Sequence, residues 1–164
     1  MAYTTIPKST VQFAPEIYTG NGSNKTISTL NFQPDWVWIK NRATTDMNVL
    51  FDSLRGATKR IASDSTAAEA TEAQDLTAFN TNGFTVSTSG AVNSNSVSYA
   101  SWNWKGGTTS GIATNGDTDI TPSSYSFNQT SGFSIIRYTG IGGQPIQIPH
   151  GLGVQPKMFI IKRL

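Results

Sequence analysis

The sequence predicts an all-β chain, an antiparallel sandwich or jelly roll with one short helix. Three observations point there. Of 164 residues, 22 are Thr, 18 Ser and 12 Asn, so 52 are small and polar. Such side chains compete for backbone hydrogen bonds and disfavour helix interiors, and 15 Gly add turns. Short apolar segments separated by turn signals recur along the chain. Finally, 37% hydrophobic and 10% aromatic residues are too many for a disordered chain.

Each element follows in order. Trp36 to Ile39 is a continuous apolar run between Pro34 and Asn41, expected as a strand covered on both faces. Val49-Leu50-Phe51 reads similarly. Ser65 to Leu76, rich in Ala and Glu, predicts the short helix, capped by Asp64 or Ser65. Asn82-Gly83 opens a half-buried strand in which Phe84 and Val86 alternate with Thr85 and Ser87. Val97 through Trp104 forms another, with Tyr99 and Ser101 on one face and Ala100 and Trp102 on the other. Gly132 to Ile136 repeats the glycine-led pattern of Gly83-Phe84. The expected core is Trp38, Ile39, Phe51, Phe84, Tyr99 and Trp102.

An internal repeat organises the chain. Tyr18-Thr19-Gly20 returns as Tyr138-Thr139-Gly140, and Phe13 as Phe133, both 120 residues on. Gln33-Pro34 returns as Gln155-Pro156 at an offset of 122, followed by Met158-Phe159-Ile160-Ile161-Lys162 where Trp36-Val37-Trp38-Ile39-Lys40 stood. The expected division is an N-terminal attachment arm over 1–12 and a first β-rich unit over 13–105. A linker or loop over 106–124 and the start of a second, incomplete unit over 125–164 would follow. Met158–Ile161 is expected as a strand needing cover from the first unit or another subunit.

Charge, at 13% of residues, is sparse and uneven. Residues 137–164 hold Arg137, Lys157, Lys162 and Arg163 with no acid; the rest holds eight bases and ten acids. The excess is terminal, not a basic stripe across a folded body, which speaks against nucleic-acid binding. No apolar run is long enough for a helix spanning a bilayer, so no membrane insertion is expected. The absence of cysteine excludes disulfides, thiol nucleophiles and thiolate metal sites.

Chemistry is thin. His150, the one histidine, sits among Pro149, Gly151 and Gly153, which favours a turn over catalysis. Glu69, Glu72 and Asp75 are spaced by three and could pair as glycosidase carboxylates, but a solvated helix face explains them. Asn115 to Asp119 offers Asp117 and Asp119 to calcium, yet lacks the closing acidic ligand of a calcium loop. No enzyme activity, cofactor or metal is expected. The binding candidates are two Trp-x-Trp pairs, Trp36 with Trp38 and Trp102 with Trp104. Exposed, they would stack sugars; buried, they would be core. Met158 and Ile160 replace Trp36 and Trp38 in the second copy, which favours core.

Tyr18 to Gly22, Phe32 to Arg42, Leu50 to Ala57, Asn82 to Val86, Val92-Asn93 and Tyr99 to Lys105 together resemble a tandem-repeat family of unknown function in tailed, often marine, bacteriophages. Gly132 to Gly140 and His150 to Lys162 resemble the opening of that family's next unit. The resemblance implies a virion protein, assembled in the host cytoplasm, of tail-fibre type, contributing to assembly and host recognition. Capsid decoration and a carbohydrate-binding module are the alternatives. Implied partners are other virion proteins, further copies of the chain (a trimer, as fibres commonly form) and a host-surface glycan. The resemblance brings no catalytic residue with it.

Overall fold

The computed structural model describes residues 9–143 and 145–164. Most of the attachment arm expected over 1–12 therefore lies outside the described residues; Ser9–Val11 is a single 3-10 turn. The chain divides into two compact units, residues 1–105 with 163–164, and residues 106–162.

Among its described residues the first unit has nine antiparallel strands: β1 Phe13–Thr19, β2 Lys25–Ile27, β3 Trp36–Asn41, β4 Val49–Asp52, β5 Lys59–Ala62, β6 Ala70–Thr71, β7 Leu76–Asn80, β8 Gly83–Val86 and β9 Ser98–Trp104. Six form one sheet in the order β1-β9-β3-β4-β5-β6, and three form another, β2-β8-β7. Strand β9 enters between β1 and β3, so late sequence is held at the centre of the larger sheet. The two sheets share one core. Ala14, Tyr18, Val37, Ile39, Val49, Phe51 and Tyr99 come from the larger, and Ile27, Leu76, Phe84 and Val86 from the smaller. Each fully buried aliphatic or Phe side chain contributes about 1.5–3 kcal/mol of transfer free energy. The fold is all-β and antiparallel, as the sequence predicts.

The predicted helix over 65–76 does not form. Ala70 and Thr71 instead pair with Arg60 and Lys59, and Leu76 begins β7. Alanine-rich segments of this length are marginal helices in water, and without an apolar stripe no packing rescues them. The segment's acids are drawn to arginines on neighbouring elements instead. Among the described residues the α-helix is one turn, α1, Gly90–Asn93, capped by the Ser89 hydroxyl accepting from the Ala91 N–H.

Within the expected core, Ile39, Phe51, Phe84 and Tyr99 are fully buried. Trp38 and Trp102 are not in it. Strand β3 is not buried on both faces either: Val37, Ile39 and Asn41 face inward, while Trp36, Trp38 and Lys40 are half-buried on the other side. The period of two decides this, because a strand aiming Ile39 at the core must aim Trp38 away.

Among its described residues the second unit holds one hairpin, β10 Ser124–Asn128 with β11 Phe133–Arg137. Its buried apolar side chains are Ile120, Phe127 and Leu152. Residues 156–164 contain no strand, contrary to the expectation for Met158–Ile161, whose side chains are exposed. Strand β3 is held by β4 and β9. Met158–Ile161 pairs with no strand among the described residues.

Candidate functional site

The side of the larger sheet turned away from the core carries the aromatic residues. Pairing fixes their rows. Phe13 lies opposite Trp104, which lies opposite Trp36. In the next row Pro15, Trp102, Trp38, Leu50 and Ile61 follow one another across five strands. A third row runs Ile17, Ala100, Lys40. All four candidate tryptophans therefore share one face, although sequence reasoning favoured them as core. The Trp38 and Trp102 rings meet edge to face at 6.1 Å, and Phe13 tilts against Trp104 at 4.8 Å. Such pairs add about 0.5–1.5 kcal/mol beyond burial and hold the rings in fixed orientations.

The face is asymmetric. On the β4 side it is closed by Arg55, whose Nε sits 2.5 Å from Asp52 and whose Nη1 reaches Glu69 at 3.3 Å. The same guanidinium donates to the Leu50 carbonyl at 3.3 Å. On the β1 side the face is open, and Ile17 is 66% exposed. Along the strands the aromatic rows give way to Lys40, then Ser98 and Arg42, where Arg42 Nη1 donates to Ser98 Oγ at 2.8 Å. Ala100 lies between the two regions and is the smallest side chain on the face. Trp38 Nε1 is buried and has no hydrogen-bond partner among the described residues. Lys40, Ser98, Arg42 and Ile17 were not singled out from sequence, yet counting by twos from Trp38 and Trp102 reaches Lys40, Arg42 and Ser98.

The other candidates separate. Glu69, Glu72 and Asp75 share no helix face. Glu69 pairs with Arg55 and Lys59, while Glu72 and Asp75 both bind Arg60, each at 3.0 Å. Asp75 is fully buried, and burial pushes its carboxyl above the usual range against the pull of Arg60. The sequence reading missed that burial. Asn115 Oδ1 accepts from the Asp117 N–H and the Thr118 hydroxyl, and Asp119 Oδ2 accepts from the Gln147 N–H at 2.7 Å. Among the described residues no group of three or more His, Cys, Asp or Glu is placed to hold a metal. His150 Nδ1 accepts from the Leu152 N–H at 3.2 Å. It lines an open cavity of about 510 Å³ with Phe127, Gln129, Gln147, Asn115 and Thr118.

No curated protein and no solved structure matches the chain. Residues 8–164 match a family model described as a domain of unknown function, DUF7483, and the chain belongs to that family.

Proposed function

We propose that this chain is a non-catalytic structural protein of a bacteriophage virion, of tail-fibre type, that meets the host surface through its tryptophan face. The observation carrying the contact is the alignment of Trp36, Trp38, Trp102 and Trp104 on the outer side of one sheet. Soluble monomers rarely present large contiguous apolar patches outside the core, so a row of four half-buried tryptophans on one outer face suits recognition. The virion assignment rests on the motif resemblance alone. The ion-paired acids and the hydrogen-bonded His150 support a role without catalysis.

A carbohydrate is the partner this face fits. Indole rings cover the apolar faces of sugars, and Lys40 and Arg42 at one end favour an acidic sugar. Screening the purified chain against neutral and acidic glycans tests the contact. Binding lost in Trp102→Ala and weakened by salt supports it; no binding to any glycan class removes it. Mass spectrometry of purified particles of a phage encoding the chain tests the virion assignment separately, and absence from the particle overturns that part.

A further inference from the structure

Four consecutive side chains near the end of the second unit are bare: Met158, Phe159, Ile160 and Ile161 are 72%, 79%, 48% and 70% exposed. The segment that matches them 122 residues earlier is β3, where Val37 and Ile39 are completely buried between two paired strands. The matching segment is a paired strand in this chain, whereas Met158–Ile161 has no ladder partner among the described residues.

An acceptor edge exists in the first unit. The ladder bonds beyond both ends of β1 show which way its backbone faces. Gln12 accepts from the Lys105 N–H at 2.8 Å, and Gly20 donates to the Val97 carbonyl at 2.8 Å. Backbone polar groups alternate sides along an antiparallel strand. Even-numbered residues therefore turn toward β9, and Phe13, Pro15, Ile17 and Thr19 turn outward. No described strand pairs there. Pro15 lacks one outward donor, as suits an edge, but the rest remain.

Charge selects the occupant. Two copies of the segment pairing with each other antiparallel about Phe159–Ile160 would set Lys157 against Lys162, a like-charge pair that opposes the ladder. Strand β1 carries one charge, Glu16, opposite in sign to Lys157, so no like-charge pair opposes a ladder with that strand.

We propose that residues 157–161 add as a strand to the outer edge of β1 in a second copy of this chain. Alternate side chains of the segment then cover Ile17 and extend the apolar face. This joins different surfaces of the two copies, so the contact closes into a ring or continues as a filament.

Light scattering on the 164-residue chain, with hydrogen exchange, tests this. The wild type should assemble as concentration rises and gain amide protection at Ile17 and over 158–161. Phe159→Lys/Ile161→Lys lacks the donor and Ile17→Lys lacks the edge, and all three sites are exposed, so each variant should fold as a monomer. Mixed in equal amounts, the two variants should form a one-to-one complex and nothing larger, because one donor and one edge remain. A wild type that stays monomeric, an Ile17→Lys chain that still assembles, or variants that fail to complement each overturns the proposal.

Discussion

The Tyr18 ring stacks on the Tyr99 ring at 5.3 Å, nearly parallel, and both hydroxyls donate to the same helical turn. Tyr18 Oη reaches the Val92 carbonyl at 2.7 Å and Tyr99 Oη the Gly90 carbonyl at 2.6 Å. The Ser94 N–H returns a bond to Tyr99 Oη at 2.9 Å. Two adjacent strands thereby anchor α1, an element too short to be stable alone. Burial, then the neighbouring Tyr99, holds the Tyr18 hydroxyl well above its ordinary pKa, so it stays protonated and donating.

Tyr99→Phe should therefore destabilise by about 1–3 kcal/mol, since it strands the Gly90 carbonyl and the Ser94 N–H. Urea titration gives the number. A cost near zero would mean water replaces the hydroxyl.

Phe84→Ala and Trp36→Ala should differ sharply. Phe84 is fully buried between the sheets, and its loss should cost about 3–5 kcal/mol. Trp36 is half-buried outside the core, so the larger deletion should cost less. Equal costs in urea would place Trp36 in a true core.

Strand parity explains how much was legible. Phe84, Tyr99 and Ile39 were readable because one buried face is enough to identify them. Trp36 and Trp38 misled because hydrophobicity is a one-way guide: it says what core accepts, not which face of a strand is core. Lys40 and Asn41 carried the missing information, since Lys40 shares the face of Trp38. The stretch 65–76 misled differently, because its Arg55 and Arg60 partners lie outside the window in which propensity is counted. Strands β2 and β6 are only three and two residues long, and pairing holds them more than their own composition does; β7 begins at Leu76, the last residue of the stretch that reads as helix.

Gly83 is where a turn signal was read correctly and its reason can be measured. Its φ is +154°, and an added Cβ would lie 1.8 Å from the Ile27 carbonyl oxygen across the β2–β8 pair. Backbone meets backbone there, so no side chain can yield. Gly83→Ala should cost more than about 3 kcal/mol, the strained conformation alone accounting for roughly 1–3. Loss of amide protection at Ile27 by hydrogen exchange would locate the damage; unchanged protection would contradict it.

Asp75 predicts a pH dependence. Its folded pKa lies above the unperturbed 3.8, so the native state holds this proton more tightly than the unfolded chain. The carboxyl's contribution to stability is then greatest below that value and is lost as pH rises through the folded pKa. Asp75→Asn removes that dependence while Arg60 keeps Glu72. Wild-type stability minus variant stability should fall as pH rises across the acid range, read from urea midpoints. A difference that rises with pH would mean Arg60 outweighs burial.

The clustered core draws only on residues between Ala14 and Tyr99, so residues 1–105 should fold when expressed alone. Its sheets pair strands from that stretch only, and no core strand is lost by the cut. Residues 106–164 should behave oppositely. One hairpin and the buried side chains Ile120, Phe127 and Leu152 offer little apolar burial against the entropy of ordering about sixty residues. Circular dichroism and urea unfolding of the two pieces check both halves. The first should unfold cooperatively, with a smaller denaturant slope than the whole chain in proportion to the surface it exposes. The second should show no cooperative transition. A first piece that aggregates, or a second that unfolds cooperatively, would mean that the buried core as drawn is not what stabilises the chain.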